Sequence, residues 1–324
     1  MELNSKEVKE YALKCGADLV GIASIDRFEG APLDMHPATI FPEAKSVIVI
    51  AIRILRGSLR GIEEGTSWDS YNFFGYNLGL GENLSFVERQ TARFIEKHGW
   101  EAVPVMAKAA LSEWGPTRDP VAPGKPPSDC VPSFRFAAVA AGLGEIGYSK
   151  LLLTPEFGPR QRLAMILTDA PLEPDPIFNG KICDRCMCCV KECPAGAISA
   201  EETIRIVVAG KTLEWGKLDT GKCKLTHFGF NRKSSPFIIK DLPGLRLDIS
   251  KQTMTWKEAH DFGWSLARMV RYFSILGYGY KVYWATCARC IRACVEHLEE
   301  RGILKNKFFN TFRRRKPWLL NHKI

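Results

Sequence analysis

Cys183, Cys186, Cys189 and Cys193 follow one another as C-x2-C-x2-C-x3-C, and Pro194 closes the run. Three thiolates at three-residue intervals on a curling loop wrap one side of a cubane, while the fourth lies a helical turn further on and points elsewhere. That spacing is the signature of a 4Fe-4S cluster, and in two-cluster proteins the fourth cysteine serves the other cluster. Zinc prefers two C-x2-C knuckles separated by a dozen or more residues. A second cluster is therefore expected, and Cys287, Cys290 and Cys294 supply a C-x2-C-x3-C group one ligand short. Cys223 is the remote donor. Under the exchange rule, one cluster takes Cys183, Cys186, Cys189 and Cys294, and the other takes Cys193, Cys223, Cys287 and Cys290. Cys188, the fifth cysteine of the stretch, is left as a bystander thiol. Two such clusters carry single electrons between an outside donor and an inner acceptor, so the remainder of the chain decides the chemistry.

The elements that position these cysteines form two regions. The first reads as alternating helix and strand, which predicts an α/β (α+β) core. Asn4 or Ser5 caps a helix that stops at Gly16, and DLVGIAS (18–24), KSVIVIAIRI (45–54), WEAVPVM (100–106) and RLAMILTD (162–169) read as strands. Residues 83–98 have helical spacing. Residues 115–133, rich in proline, predict an irregular loop. A short apolar helix then leads into the glycine-rich turn GLGEIG (142–147), where backbone amides can approach a large ligand closely. The texture changes near residue 175, and 256–277 reads as helical. The expected domains are 1–175, 176–300 and a basic tail, 301–324.

Composition sets outer limits. The 324 residues are 46% hydrophobic and 25% charged, as in an ordinary globular protein. Eleven cysteines without an export signal read as reduced thiols of a cytoplasmic protein. No run of apolar residues is long enough to cross a membrane. The net charge of +9 is concentrated, because residues 301–324 hold eight Lys or Arg and no acid. Phe308, Phe309 and Trp318 are expected to pack this tail on the body.

GLGEIG, PEFGPRQR (155–162), LTDAPLEPD (167–175) and the cysteine run, in that order, resemble the superfamily of cobalamin-dependent reductive dehalogenases and epoxyqueuosine reductases. PEAKSVIVIAI (42–52) and the abbreviated second cysteine group extend the resemblance over roughly residues 40–295. It implies a nitroreductase-like core that holds cobalamin, joined to a ferredoxin-like domain with two 4Fe-4S clusters. The cobalamin would be base-off, since none of the six histidines lies in a D-x-H-x-x-G motif. FMN is the lesser alternative. Gly142, Gly144 and Gly147 are the candidate cofactor-binding positions.

The implied reaction is reductive cleavage of a C–halogen or C–O bond of a small molecule, with electrons from a low-potential donor such as ferredoxin or flavodoxin. Asp129 stands one position from where epoxyqueuosine reductases carry their acid. Arg160 or Arg162 is the candidate basic partner, and Tyr71 and Tyr76 are the candidate tyrosines. Val295 replaces the proline that usually follows the last cysteine. The chain ends soon after that group without a helical-repeat domain, so tRNA is the less favoured substrate. A corrinoid-free electron carrier is the reading from a different class, opposed by the size of the region ahead of the cysteines.

Overall fold

A computed structural model describes residues 3–67, 69–76, 78–105, 118–235, 242–245, 247–266 and 287–314. The chain divides into two compact units, each discontinuous in sequence. The first comprises Met1–Arg53, Gly79–Arg185 and Arg205–Trp215, and the second Ile54–Leu78, Cys186–Ile204 and Gly216–Ile324. The division in the cysteine region thus falls between Arg185 and Cys186, later than residue 175, and residues 54–78 join the second unit.

In the first unit, helix α1 (Ser5–Lys14) begins at a capping box. The Asn4 side chain accepts from the Glu7 amide at 3.0 Å, and the Asn4 amide donates to the Glu7 carboxylate at 3.3 Å. Strands β1 (Leu19–Ser24), β2 (Ser46–Arg53), β3 (Ala102–Val105) and β6 (Gln161–Thr168) form a sheet in the order β1-β2-β6-β3. Every neighbouring pair is antiparallel. The alternation of helix and strand therefore gives a mixed α/β fold whose described sheet is antiparallel. β2 is buried at seven consecutive positions, so it lacks the in–out alternation of a half-solvated strand. Helix α5 (Phe134–Ala140) packs on β1, β2 and β6. That packing is close enough that a Cβ at Gly21 would stand 2.4 Å from the Ala141 carbonyl oxygen. Helix α4 (Leu78–Glu96) precedes β3, and β4 (Glu145–Ile146) pairs with β5 (Leu152–Leu153) inside the glycine-rich segment.

Strands β7 (Ile198–Val208) and β8 (Lys211–Leu218) make a hairpin. Ala209 and Gly210, at φ +50° and +74°, form its two-residue turn.

The second unit is helical. It contains α2 (Arg60–Glu64), α3 (Asp69–Tyr71) running into a π-helical turn over Asn72–Tyr76, α6 (Cys188–Lys191), α7 (Thr220–His227), α8 (Trp256–Leu266) and α9 (Arg289–Glu300). Helix α7 packs on α8 and α6 on α9. Leu225, Phe228, Phe230, Ile249 and Ala259 form the core, with Cys193 and Cys223 against it. The segment after α9 is held down only in part, with Phe308 itself 41% exposed. Phe312 is buried, the Arg56 guanidinium lies 3.6 Å from the Phe308 ring centre, and Arg60 lies 4.7 Å from that of Phe312. Phe309 differs and is fully exposed. Trp318 and residues 267–277 of the expected long helix lie outside the described residues. Among the described residues, no helix is long and apolar enough to cross a membrane.

Candidate metal centre and ligand cavity

The half-buried Cys290 places its thiol in the first turn of α9. Burial pushes that thiol well above its ordinary value, and the sulfurs of Cys287, Cys223, Cys193 and Cys189 add to the effect. Burial likewise raises Cys287, which lies beside Cys193. Three separate segments therefore bring sulfur to one place. Cys223 arrives on α7, whose start is fixed by the Asp219 side chain accepting from the Lys222 amide at 2.9 Å. Cys193 accepts a hydrogen bond from the Ala197 amide at 3.3 Å, and Asn231 holds the adjoining Pro194 carbonyl at 2.9 Å. Raised thiols keep their protons until a cation displaces them, so metal binding here releases protons. Four soft sulfurs on half-buried cysteines fit an iron–sulfur cluster.

The other four predicted cysteines are divided. Cys183 belongs to the first unit, where the Glu145 carboxylate accepts from both the Ile182 and Cys183 amides at 2.6 Å. Its sulfur accepts from the Tyr148 amide at 3.4 Å. Cys186, Cys189 and Cys294 belong to the second unit, Cys189 buried and the other two half-buried. The bystander Cys188 is not isolated: its sulfur, that of Cys186 and a ring nitrogen of His297 lie within 4.8 Å of one another.

The three glycines meet this chain's own atoms. A Cβ at Gly142 would stand 2.2 Å from the Pro176 carbonyl oxygen, and one at Gly144 2.0 Å from that of Leu153. At Gly147 it would touch the Leu153 side chain at 2.9 Å. At each of the three positions the turn is packed too closely for a side chain.

The first unit instead holds a cavity of about 880 Å³, near the upper end for ligand pockets. Its walls are the turn at Arg27–Pro32, Phe136 on α5, the tip of the β7–β8 hairpin, and Trp215. Lys150, in the left-handed region at φ +63°, places its ammonium 5.5 Å from the Trp215 ring centre and 5.9 Å from that of Phe136. Arg27 is committed elsewhere, donating to the Ala140 and Asp175 carbonyls at 2.6 and 2.7 Å. The cavity is therefore lined mainly by apolar and aromatic side chains, with Lys150, Arg27, Asp26 and Glu29 also at its wall. Sequence reasoning passed over Lys150, Phe136 and Trp215, whose only local signal is the lysine after the glycine turn.

The catalytic candidates are also divided. Asp129, Arg160 and Arg162 lie in the first unit, and Tyr71 and Tyr76 in the second. Asp129 is half-buried and accepts from the Arg118 amide at 3.1 Å. Arg160 is buried, and Arg162 lies on β6 opposite Ile52. Tyr71 is buried against Gly75, and the Tyr76 ring centre lies 4.6 Å from that of His227. None of the five lines the cavity. The described histidines of the first unit, His36 and His98, are engaged locally with the Ala38 amide and the Phe94 carbonyl.

No family model matches the chain. A tetrachloroethene reductive dehalogenase of Dehalobacter restrictus is 32% identical over 274 residues, covering 68% of this chain and 44% of that protein. An epoxyqueuosine reductase of Listeria monocytogenes is 26% identical over 227 residues, covering 60% of this chain and 52% of that one. Among solved structures, a reductive dehalogenase described with a mechanism for B12-dependent dehalogenation aligns at TM-score 0.47 and 21% identity, covering 70% of this chain and 29% of that one. The chain spans about half the length, or less, of these curated relatives.

Proposed function

The chain is homologous to reductive dehalogenases and epoxyqueuosine reductases, and from that premise we propose that it is a cobalamin-dependent iron–sulfur oxidoreductase acting on a small molecule. The observation that carries this reading is the convergence of Cys193, Cys223 and Cys287 on the half-buried Cys290. These four cysteines hold one 4Fe-4S cluster, and Cys183, Cys186, Cys189 and Cys294 hold the other. A low-potential protein such as ferredoxin or flavodoxin supplies the electrons. When bound, cobalamin supplies the low-valent metal needed to break a C–halogen or C–O bond reductively.

The first unit's cavity is the chamber for the organic ligands. Phe136 and Trp215 offer flat apolar faces, and Lys150 holds an anionic group by charge. For a halide substrate the balance is one C–halogen bond, two electrons and one proton giving one C–H bond and one halide ion. Neither Asp129 nor Arg162 lines this cavity, so neither is assigned the proton in this reading.

Reduction of epoxyqueuosine in tRNA is the second reading, favoured by the larger share of the Listeria relative that aligns. Against it, Arg314 of the basic tail is paired to Glu192 and Glu296. The test is to give the reduced, reconstituted protein a panel of aromatic organohalides and an epoxyqueuosine-containing tRNA stem-loop. Halide release supports the first reading. Queuosine formation without halide release overturns it in favour of the second.

A further inference from the structure

Cys188 and His297 have no part in the eight-cysteine arrangement, yet the fold carries both to Cys186. Met187 adopts the left-handed region at φ +61°, rare for a side chain of its size, and this turns the loop sharply between the two cysteines. His297 lies on α9 seven residues after Cys290 and three after Cys294, a spacing that keeps all three on one helical face. Helix α6, which starts at Cys188, packs on α9. Two sulfurs and one ring nitrogen consequently lie within 4.8 Å of one another, all three residues half-buried.

That closeness selects the kind of ligand. Metal–sulfur bonds of about 2.3 Å and metal–nitrogen bonds of about 2.0 Å set the donors of a tetrahedral ion roughly 3.5–3.8 Å apart. Small side-chain rotations bring these three atoms onto one ion. Two thiolates with an imidazole are a borderline-soft set, suited to zinc or ferrous iron, with a fourth position left for water.

We propose that Cys186, Cys188 and His297 form a mononuclear site for a divalent ion such as zinc, and that its occupancy excludes the cluster that uses Cys186. The exclusion rests on the two-cluster reading; the site itself does not. One thiolate cannot serve both, so the chain has two exclusive metal states in this loop, and zinc at this site prevents assembly of the Cys183–Cys186–Cys189–Cys294 cluster. The role of Cys188 and His297 is to hold the competing ion.

The test uses the full chain produced in zinc-supplemented and in iron-supplemented medium, with metal content and zinc-edge X-ray absorption as readouts. The zinc preparation is expected to hold about one zinc per chain, in a shell of two sulfurs with imidazole nitrogen. Its iron falls by about four atoms relative to the iron preparation. His297→Gln and Cys188→Ser remove the zinc and restore that iron. Should either variant fail to fold, the nitrogen and two-sulfur shell of the unaltered chain decides the matter. Absence of zinc, or zinc in an all-sulfur shell that survives His297→Gln, overturns the proposal. Zinc in the expected shell with no iron in either preparation upholds the site and sinks the two-cluster reading instead.

Discussion

Glu88 sits on α4 only 4% exposed, and its Oε1 has no hydrogen-bond partner among the described residues. Burial pushes its carboxyl from the ordinary 4.5 up to about 8, against the smaller opposing pull of the Met165 and Val105 amides. The folded protein thus holds this proton more tightly than the unfolded chain. Stability attributable to the group is complete below about pH 4.5 and declines by about 1.4 kcal/mol per pH unit until about pH 8. The full decline is about 5 kcal/mol, of which about 3 kcal/mol is already lost at pH 7. Glu88→Gln keeps the shape and abolishes the titration. The assay is the unfolding midpoint of both proteins, melted anaerobically at steps from pH 6 to pH 8. At about 2–4 °C per kcal/mol for a unit of this size, the wild-type midpoint should fall by roughly 5–10 °C relative to Glu88→Gln across that range. Parallel curves for the two proteins would refute the burial argument.

Other expectations follow from the same geometry. Cys290→Ser removes a sulfur of the Cys193–Cys223–Cys287–Cys290 group, and iron per chain should fall from about eight to about four atoms. Arg292 and Glu63 form a buried ion pair, 6% and 3% exposed. Arg292→Met removes this cation from the buried carboxylate and should cost about 3–5 kcal/mol in thermal or chemical unfolding, largely recovered by adding Glu63→Gln. Lys150→Met should weaken binding of an anionic aromatic ligand roughly tenfold, read by quenching of tryptophan fluorescence, and leave a neutral analogue unchanged.

What the sequence discloses depends on how local the cause is. β2 and β6 were legible because SVIVIAIR holds the continuous apolar, β-branched-rich run VIVIAI and QRLAMILT the apolar run LAMIL, the pattern of strands covered on both faces. The start of α1 was legible from Asn4 and Glu7, a cap confined to four residues. The β7–β8 hairpin was missed, because β7 is mostly exposed and carries charge along ISAEETIRIVV. Its turn signal, Ala209–Gly210, is weak beside an Asn-Gly pair. The cavity was illegible for a different reason: Arg27, Lys150 and Trp215 meet only through tertiary packing. Glu88 reads as a surface residue within NLSFVERQTARF, and only the sheet beneath α4 turns it into a buried acid. His297 is an ordinary helical histidine until α6 places two sulfurs beside it.

The most direct test of the central claim is an anaerobic reconstitution with iron and sulfide, followed by titration with cobalamin under electron paramagnetic resonance. The account predicts about eight irons per chain, as two four-iron clusters, and a base-off Co(II) signal that saturates at one equivalent. Eight irons with no cobalamin uptake would contradict the corrinoid enzyme and leave an electron carrier or a flavin-dependent reductase.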